Sequence, residues 1–412
     1  MIEQNNKKNI QLFGEFFLFI FLLYFWGMLY AHNPRYDISN LQYYFYVLPS
    51  VVFVFVGSCL SLFKYVTKIE TLMIAGLLTF VNFISIARND FTTILSVSLL
   101  LFTVGIFSHL RFKLDANKLN YIYLLSVLFS AISYHLGFSE FGYIPGMSHS
   151  SESQGLVWRI SLFPSLPESA FFSAIIFVVN LSYSSLVFRR TVIFLSLYFL
   201  LFSGLRSAVI ATIMAIVFLT LSLWKISKNR YFLMFFCYFL LSSFFFLVLA
   251  PNMLLSVLTT DNDVLNRYFF RSISGDLGQE DLQVTVYRGW LWLQHINIWL
   301  DNWIVGVGTF EFKNVVMESI ISGHNGSGSE SFFTGFLARV GIFSIVFLVV
   351  FFTAAIRSIR HRKTHVAPIF ILFFVAMFSY GSFIVSYNFI FLLFLVLIFG
   401  QLNVNSLAGV RN

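Results

Sequence analysis

Four residues of this chain carry side chains that could bind a diphosphate group and accept a proton. His324 is an imidazole, the one side chain that ordinarily titrates near neutral pH. Arg159, Arg206 and Arg288 each offer a planar guanidinium fork that matches the oxygens of a phosphate. Together they suggest a site for a substrate that carries a diphosphate, with a histidine able to accept a proton.

The residues around His324 extend this candidate site. The loop Gly323-His324-Asn325-Gly326 has a flexible backbone that could approach a substrate closely. Asn325, Glu330 and Arg339 are further candidate substrate contacts, and Arg339 lies inside the next apolar segment. A lone loop histidine more often has no catalytic role, so the prediction for His324 depends on the arginines.

Each of the other candidates also has a purely structural interpretation. Arg206 follows Ser203-Gly204-Leu205 between two apolar runs, where it could either extend to the membrane surface or face a polar cavity. Arg288 could be only the polar face of an interfacial helix. Glu168, a few residues after Arg159, could be a substrate contact or a carboxylate that stabilises a helix N-terminus.

The composition predicts the elements that must position these residues. With 58% hydrophobic and 11% charged residues and a mean hydropathy of +0.83, the chain is too apolar for an ordinary soluble domain. The expected fold class is therefore all-α, a polytopic integral membrane protein with about twelve transmembrane helices. The apolar stretches lie near 14–31, 41–63, 71–87, 90–109, 119–137, 168–187, 191–204, 206–224, 231–250, 332–356, 367–384 and 387–402.

The basic residues behind the net charge of +8 are distributed among the loops between these stretches as expected for a membrane protein. The charge therefore gives no sign of nucleic-acid binding. Most Lys and Arg residues fall in alternate loops. Because basic loops stay on the cytoplasmic side of a membrane, these loops are expected to be cytoplasmic, and both termini lie on the same side. The candidate site residues fall on the opposite side. This pattern predicts a multi-pass membrane protein, surrounded by membrane lipid and with its site on the outer face. The first apolar stretch is expected to be a retained helix, because no small-residue cleavage site follows it.

Three regions are expected along the chain. Residues 1–250 would hold about nine transmembrane helices with an outer loop near 137–167, residues 251–331 a large outer loop or cap, and residues 332–412 about three further helices. The cap contains a tryptophan-rich run from Arg288 to Trp303, which is typical of a helix lying at the membrane interface. Gly306-Val307-Gly308 then predicts a turn.

Several other chemistries find no support in the sequence. It has no Cys and His spacing typical of zinc, no phosphate-binding loop of the nucleotide-binding kind and no nucleophile elbow. The pair Asp261 and Asp263 is a weak candidate for a metal. We therefore expect neither a metal site nor a cofactor.

At the level of motif order, residues 155–345 resemble the bacterial O-antigen polymerase and O-antigen ligase superfamily of membrane glycosyltransferases. The similar runs, in order, are Arg159 with Pro167-Glu168-Ser169-Ala170, Ser203-Gly204-Leu205-Arg206-Ser207, Arg288-Gly289-Trp290, Ile304-Val305-Gly306-Val307-Gly308-Thr309-Phe310, and His324-Asn325 with the segment Ser331 to Gly341. The chain departs from the family pattern at Asn302-Trp303 and in the insert Gly326 to Ser329.

The resemblance implies a protein of the bacterial inner membrane whose large outer loop is periplasmic. It implies transfer of a glycan from an undecaprenyl-diphosphate-linked oligosaccharide on the periplasmic side, without nucleotide sugar or metal. It implies that His324 is the base, that Arg206 and Arg288 bind the diphosphate, and that Arg159 supports them. A chain-length regulator protein is a further expected partner.

Four interpretations stay open at this point. The polymerase would transfer the glycan to another lipid-linked repeat unit, and the run from Leu166 to Phe172 favours it. A ligase would transfer it to lipid A-core, and the nine residues between Asn325 and Gly335 are compatible with that activity. A flippase or other transporter would also have many spans and cavity-facing arginines, but the clustering of polar residues in one outer loop favours an enzyme. A membrane scaffold without catalysis would leave the arginines unexplained.

Overall fold

The structure of the chain is a computed structural model. It describes residues 18–20, 76, 80, 82–84, 86–87, 113–135, 144–145, 158–159, 162, 166–203, 205–223, 295–308, 332–345, 359, 366–379, 389–399 and 401–403. The predicted catalytic residues His324 and Arg288 and the predicted substrate contacts Asn325 and Glu330 lie outside these described residues.

The described part of the chain is helical, as the sequence predicted. The helices with defined bounds are α1 (Ala116–His135), α2 (Leu166–Ser182), α3 (Arg189–Phe202), α4 (Arg206–Leu223), α5 (Phe332–Val340), α6 (Val366–Ser379) and α7 (Phe389–Phe399). Each of them overlaps one of the apolar stretches expected from the sequence. The closely spaced pair expected at 191–224 is two separate helices, α3 and α4.

Among the residues that the structure describes, none of the helices combines the length and the apolar character needed to cross a membrane.

The chain divides into two compact units. One comprises Met1–Ile216, Phe347–Ala376 and Phe383–Asn412, and the other comprises Val217–Val346 and Met377–Ser382. The three-region organisation expected from the sequence remains a prediction.

The first unit is built around α2, which packs against α1, α3 and α7. Every side chain from Glu168 to Asn180 in α2 and from Ile390 to Ile398 in α7 is buried. Phe394 of α7 contacts both Phe171 of α2 and Phe373 of α6 edge-on or tilted, with ring centroids 6.4 and 5.4 Å apart. Aromatic rings therefore fill the space between these helices.

Short polar side chains explain where several of these helices begin and end. The Oδ1 atom of Asp115 accepts a hydrogen bond of 2.9 Å from the backbone N–H of Asn117, which caps the start of α1. The hydroxyl of Ser203 donates to the carbonyl of Leu200 and accepts from the N–H of Leu205, so it joins the end of α3 to the start of α4. Ser203 therefore lies at the junction between two helices.

Two pairs of short strands accompany the helices in the first unit. β1 (Lys113–Asp115) pairs in parallel with β4 (Gln401–Asn403), with Leu114 opposite Leu402. β2 (Ile144–Pro145) pairs antiparallel with β3 (Trp158–Arg159), with Ile144 opposite Arg159. The first pair joins the start of α1 to the chain segment that follows α7.

A buried amide network joins α1 to the turn between α2 and α3. Asn120 and Asn180 exchange two side-chain hydrogen bonds of 2.9 and 2.8 Å, and the Nδ2 atom of Asn120 also donates to the carbonyl of Val187. Asn117 accepts from the N–H of Val187, and Arg189 donates to the carbonyl of Asn180. Because each buried amide has partners, the network fixes the relative positions of the two helices and the turn.

Candidate functional site

The best-defined candidate site lies in the second unit, where residues 295–308 pack on residues 332–345. Residues 295–301 are helical and continue through a turn to Gly308. The N–H of Val307 donates to the carbonyl of Ala338 over 2.9 Å, and the N–H of Ile342 donates to the carbonyl of Trp303 over 2.7 Å. The two segments are therefore joined backbone to backbone.

Two glycines permit this close approach. Gly306 and Gly341 have φ angles of 70° and 68°, in the left-handed region that side chains with a Cβ rarely adopt. A Cβ on Gly306 would lie 2.5 Å from the carbonyl carbon of Arg339, and a Cβ on Gly341 would lie 2.6 Å from the carbonyl oxygen of Ile304. We call Gly306, Gly341 and the backbone bonds between the two segments the glycine clasp. Both glycines belong to motifs on which the family resemblance rests.

A buried histidine lies beside the clasp. The Nδ1 atom of His295 is 3.0 Å from the Oγ1 atom of Thr334 in α5. The side chain of His295 is fully buried, and that of Thr334 is 4% exposed. This contact joins side chains of the same two segments whose backbones form the clasp.

Burial and charge together keep His295 neutral. Burial, and to a lesser degree the positive charge of Arg339, lowers the pKa of His295 from 6.5 to about 4. A neutral imidazole can donate at one ring nitrogen and accept at the other, so it can bind a hydroxyl without adding a second charge beside the arginine.

Arg339, one of the predicted substrate contacts, lies in the last turn of α5. The C-terminal end of a helix dipole favours a cation at this position. The residue as a whole is half-buried, whereas its Nε and Nη1 atoms are buried. Stacked rings of Phe332 and Phe336, with centroids 5.2 Å apart, are part of the apolar packing of the same helix.

The other predicted site residues that the structure describes belong to the first unit. Glu168 is 2% exposed in the first turn of α2, where the helix dipole favours a carboxylate. The hydroxyl of the next residue, Ser169, accepts a hydrogen bond of 2.8 Å from the N–H of Leu162. This bond ties the chain that follows Arg159 in β3 to the start of α2.

Arg206 is the first residue of α4. The N-terminal end of a helix dipole disfavours a cation, so helix stability does not explain an arginine at this position. The N–H groups at a helix start attract an anion.

The charge of Arg339 acts on His295, and His295 contacts Thr334. Neither His295 nor Thr334 was among the predicted site residues. One sequence signal was available, because His295 and Trp299 are four residues apart and so share one helix face in the tryptophan-rich run. Nothing in the local sequence indicates that Thr334, far along the chain, is the partner of His295.

No group of three or more His, Cys, Asp or Glu side chains that could hold a metal ion occurs within the described ranges. The expectation that the protein works without a metal or cofactor stays a prediction.

No protein-family model matches this chain, and no curated protein sequence matches it.

Proposed function

We propose that this chain is an integral membrane glycosyltransferase that polymerises surface polysaccharide of the O-antigen kind. It would transfer an undecaprenyl-diphosphate-linked glycan to another lipid-linked repeat unit on the periplasmic side of the bacterial inner membrane. The glycine clasp carries the proposal, because it packs Gly306 of one family-like motif directly on Arg339, which lies in another such motif. Two sequence runs that resemble the family separately thus form one structural element.

Large apolar side chains at the surface of the helices support a location in the membrane. Leu128 in α1, Phe194 in α3 and Ile213 in α4 are 53%, 69% and 50% exposed. An exposed apolar surface of this kind suits contact with lipid chains. On this proposal the polypeptide has about twelve spans.

The hydrogen bonds of helical hydroxyl groups also suit an apolar surrounding. Ser126, Ser182 and Thr212 each donate to the carbonyl four residues earlier in the same helix. A hydroxyl satisfied in this way needs no water. The Asn120 and Asn180 pair is likewise the kind of polar contact that joins helices in lipid.

The contacts of the first unit support the proposed topology. The charge pattern puts residues 111–118, residues 187–190 and the C-terminus on the cytoplasmic side. β1 pairs with β4, and Asn117 and Asn120 bond to Val187, so these three segments meet at one end of the helices. Segments that meet at one end of the helices must lie on the same side of the membrane. The proposed topology puts all three of these segments on the cytoplasmic side.

The proposed chemistry is displacement of a diphosphate. His324 takes the proton from a hydroxyl of the acceptor sugar as its oxygen bonds to the anomeric carbon of the donor. The bond between that carbon and the diphosphate oxygen breaks, and undecaprenyl diphosphate leaves with the electron pair. Arg206 and Arg288 bind the diphosphate and stabilise the charge that it gains, while Arg159, Glu168, Asn325, Glu330 and Arg339 contact the substrate.

The test uses a host that lacks the gene and is complemented with His324→Ala, Arg206→Ala or the unchanged chain. We expect both variants to reach the membrane but to leave lipid A-core carrying a single repeat unit. Normal long chains from both variants would refute the assigned site. Gly76→Ala is a matched control, since no atom lies within 4 Å of a Cβ added there.

The same gel separates the two other functions. Bare core with full-length chains left on the lipid carrier would identify the ligase, which shares the proposed chemistry but transfers the glycan to lipid A-core. Repeat units trapped on the cytoplasmic face would identify a flippase. Either pattern in the deletion host would replace the polymerase proposal.

A further inference from the structure

We propose that the first unit binds the head group of an acidic phospholipid of the cytoplasmic leaflet, at the place where α1 meets the turn between α2 and α3. The exposed residues Lys118, Tyr121, Phe188 and Arg190 form this surface, which we call the head-group surface. The inference rests on the proposed function only for the location in a membrane and for the side of the membrane.

Two aromatic rings lie at the centre of the head-group surface. Tyr121 and Phe188 are 41% and 54% exposed, and their rings meet edge to face with centroids 5.9 Å apart. A tyrosine ring suits the boundary between membrane and water, because its apolar part can contact lipid while its hydroxyl stays in water. The exposed pair therefore fits the level of the lipid head groups.

The amide network fixes the turn that carries Phe188. The carbonyl of Val187 accepts from Asn120 and its N–H donates to Asn117, so the residue before Phe188 is tied to α1 at two points. Phe188 itself has φ 54° and ψ 19°, in the left-handed region that bulky side chains rarely adopt. Such a conformation persists only where the surrounding structure imposes it. The chain thus keeps an exposed phenyl group where glycine would suit the backbone better.

Two cations flank the ring pair. Lys118 is exposed and lies three residues before Tyr121, so the two residues share one face of α1. Arg190 is exposed in the first turn of α3, two residues after Phe188. The helix dipole disfavours a cation in that turn, so helix stability does not explain Arg190. Cations on both sides of the rings suit the phosphate of a lipid that lies against them.

Charge and depth both indicate a lipid. Residues 111–118 and 187–190 hold five basic residues and one acidic residue, and this excess of positive charge complements an acidic membrane surface. Phe194 lies one turn after Arg190 in α3 and is exposed, so it offers apolar surface deeper in the membrane for the chains of the same lipid. A free phosphate ion would contact the cations but would leave the rings unused.

Lipid retention by the full-length protein tests the two cations. The purified protein is mixed in detergent with equal amounts of phosphatidylglycerol and phosphatidylcholine of the same chain length, and native mass spectrometry counts the lipids that stay bound. Lys118→Gln with Arg190→Gln removes both cations of the surface. Lys225→Gln with Lys228→Gln removes two basic residues of another loop predicted to be cytoplasmic, and this protein is the charge-matched control.

We expect the unchanged protein and the control to retain phosphatidylglycerol about tenfold better than phosphatidylcholine, since each cation near an acidic surface contributes roughly a fivefold preference. The variant without Lys118 and Arg190 should retain the two lipids almost equally. Exchange of chloride for inorganic phosphate at constant ionic strength should leave phosphatidylglycerol bound.

Phe188→Gly tests the ring. The substitution removes the phenyl group and relieves the left-handed backbone, so we expect thermal stability equal to or above that of the unchanged protein, together with a weaker preference for phosphatidylglycerol. Phe202→Ala, which removes an exposed ring at the other end of α3, is the matched control and should keep the full preference. Lower stability of Phe188→Gly with an unchanged lipid preference would make the ring purely structural.

Two results would overturn the head-group surface: an unchanged preference without Lys118 and Arg190, or an equal loss in the charge-matched control. Displacement of phosphatidylglycerol by inorganic phosphate would make a free anion the ligand in place of the lipid. Lipid retention needs no turnover. The expected retention in a protein that makes no polymer would therefore refute the proposed function and leave the surface standing, whereas polymer formation without lipid preference would do the reverse.

Discussion

Gly306 lies directly on the backbone of Arg339, with no room for even a methyl group between them. A Cβ at Gly306 would be 2.5 Å from both the carbonyl carbon and the carbonyl oxygen of Arg339. The glycine in the turn after the tryptophan-rich helix thereby determines where the arginine of α5 can lie. The proposed role of Arg339 in substrate binding depends on this contact.

A side chain at either glycine of the clasp should destabilise the protein. Gly306→Ala would combine an unfavourable φ of 70° with a backbone clash, so we expect it to lower the free energy of unfolding by more than about 2 kcal/mol. Gly341→Ala should behave similarly. Thermal unfolding in detergent measures the effect.

Gly76→Ala is the matched control for both clasp variants. Gly76 is helical and has no atom within 4 Å of an added Cβ, so alanine there should leave stability unchanged or raise it by up to about 1 kcal/mol. Equal stability of Gly306→Ala and Gly76→Ala would contradict the clasp.

The stability of the protein should fall in acid because of His295. Its pKa of about 4 in the folded chain lies below the ordinary value of 6.5, so the unfolded chain takes up a proton more readily than the folded one. The contribution of neutral His295 to the free energy of unfolding is fully present above pH 6.5. It is lost as the pH falls towards 4, and the loss is up to about 3 kcal/mol.

Unfolding measured from pH 7 to pH 4 tests this dependence, with His295→Asn as the comparison. The variant has no titrating group at that position, so its stability should fall less steeply over the same range. If the free energy of unfolding fell equally steeply with pH in the two proteins, His295 would not be buried as the structure describes.

The amide pair between α1 and α2 should be energetically coupled. Asn120→Ala and Asn180→Ala each leave one buried amide without its partner, which we expect to cost about 1–3 kcal/mol. The double variant should cost less than the sum of the two single variants, because no unmatched amide remains.

A double-mutant cycle by thermal unfolding measures this coupling. Thr220→Ala is a suitable control, since the hydroxyl of Thr220 makes only an exposed bond to its own helix. Additive effects of the two asparagine substitutions would argue against the reciprocal hydrogen bonds.

The parallel strand pair can be tested by cross-linking. Leu114 and Leu402 are direct partners in the pairing of β1 with β4. In a chain whose natural Cys59 and Cys237 are replaced by serine, Leu114→Cys with Leu402→Cys should form a disulfide readily on mild oxidation.

The mismatched pair Lys113→Cys with Asn403→Cys is two positions out of register and should cross-link more slowly. Equal rates for the matched and mismatched pairs would contradict the register. Mass spectrometry of proteolytic peptides identifies the cross-link.

A substitution at Arg206 should separate charge from geometry in the proposed reaction. Arg206→Lys keeps the charge but loses the planar fork, so we expect it to retain part of the activity, whereas Arg206→Ala should reduce kcat about 100-fold or more. Rates of polymer formation in vesicles provide the measurement. Full activity of Arg206→Ala would remove this arginine from the site.

Local sequence patterns were sufficient to predict the helices. The apolar stretches expected near 168–187 and 191–204 correspond to α2 (Leu166–Ser182) and α3 (Arg189–Phe202), because long apolar runs bounded by polar residues depend only on neighbours in the chain. The small polar residue Ser203 likewise marked a junction between helices.

The sequence by itself determined the helical segments, the turn glycines and the residue types able to bind a phosphate. Only the tertiary structure decided that His295 meets Thr334 and that Gly306 meets Arg339. These partners are far apart along the chain, and no repeat or spacing encodes which distant residue will fill a given space. Burial then changes the chemistry, since the pKa of His295 falls only when its partners and its enclosure are in place.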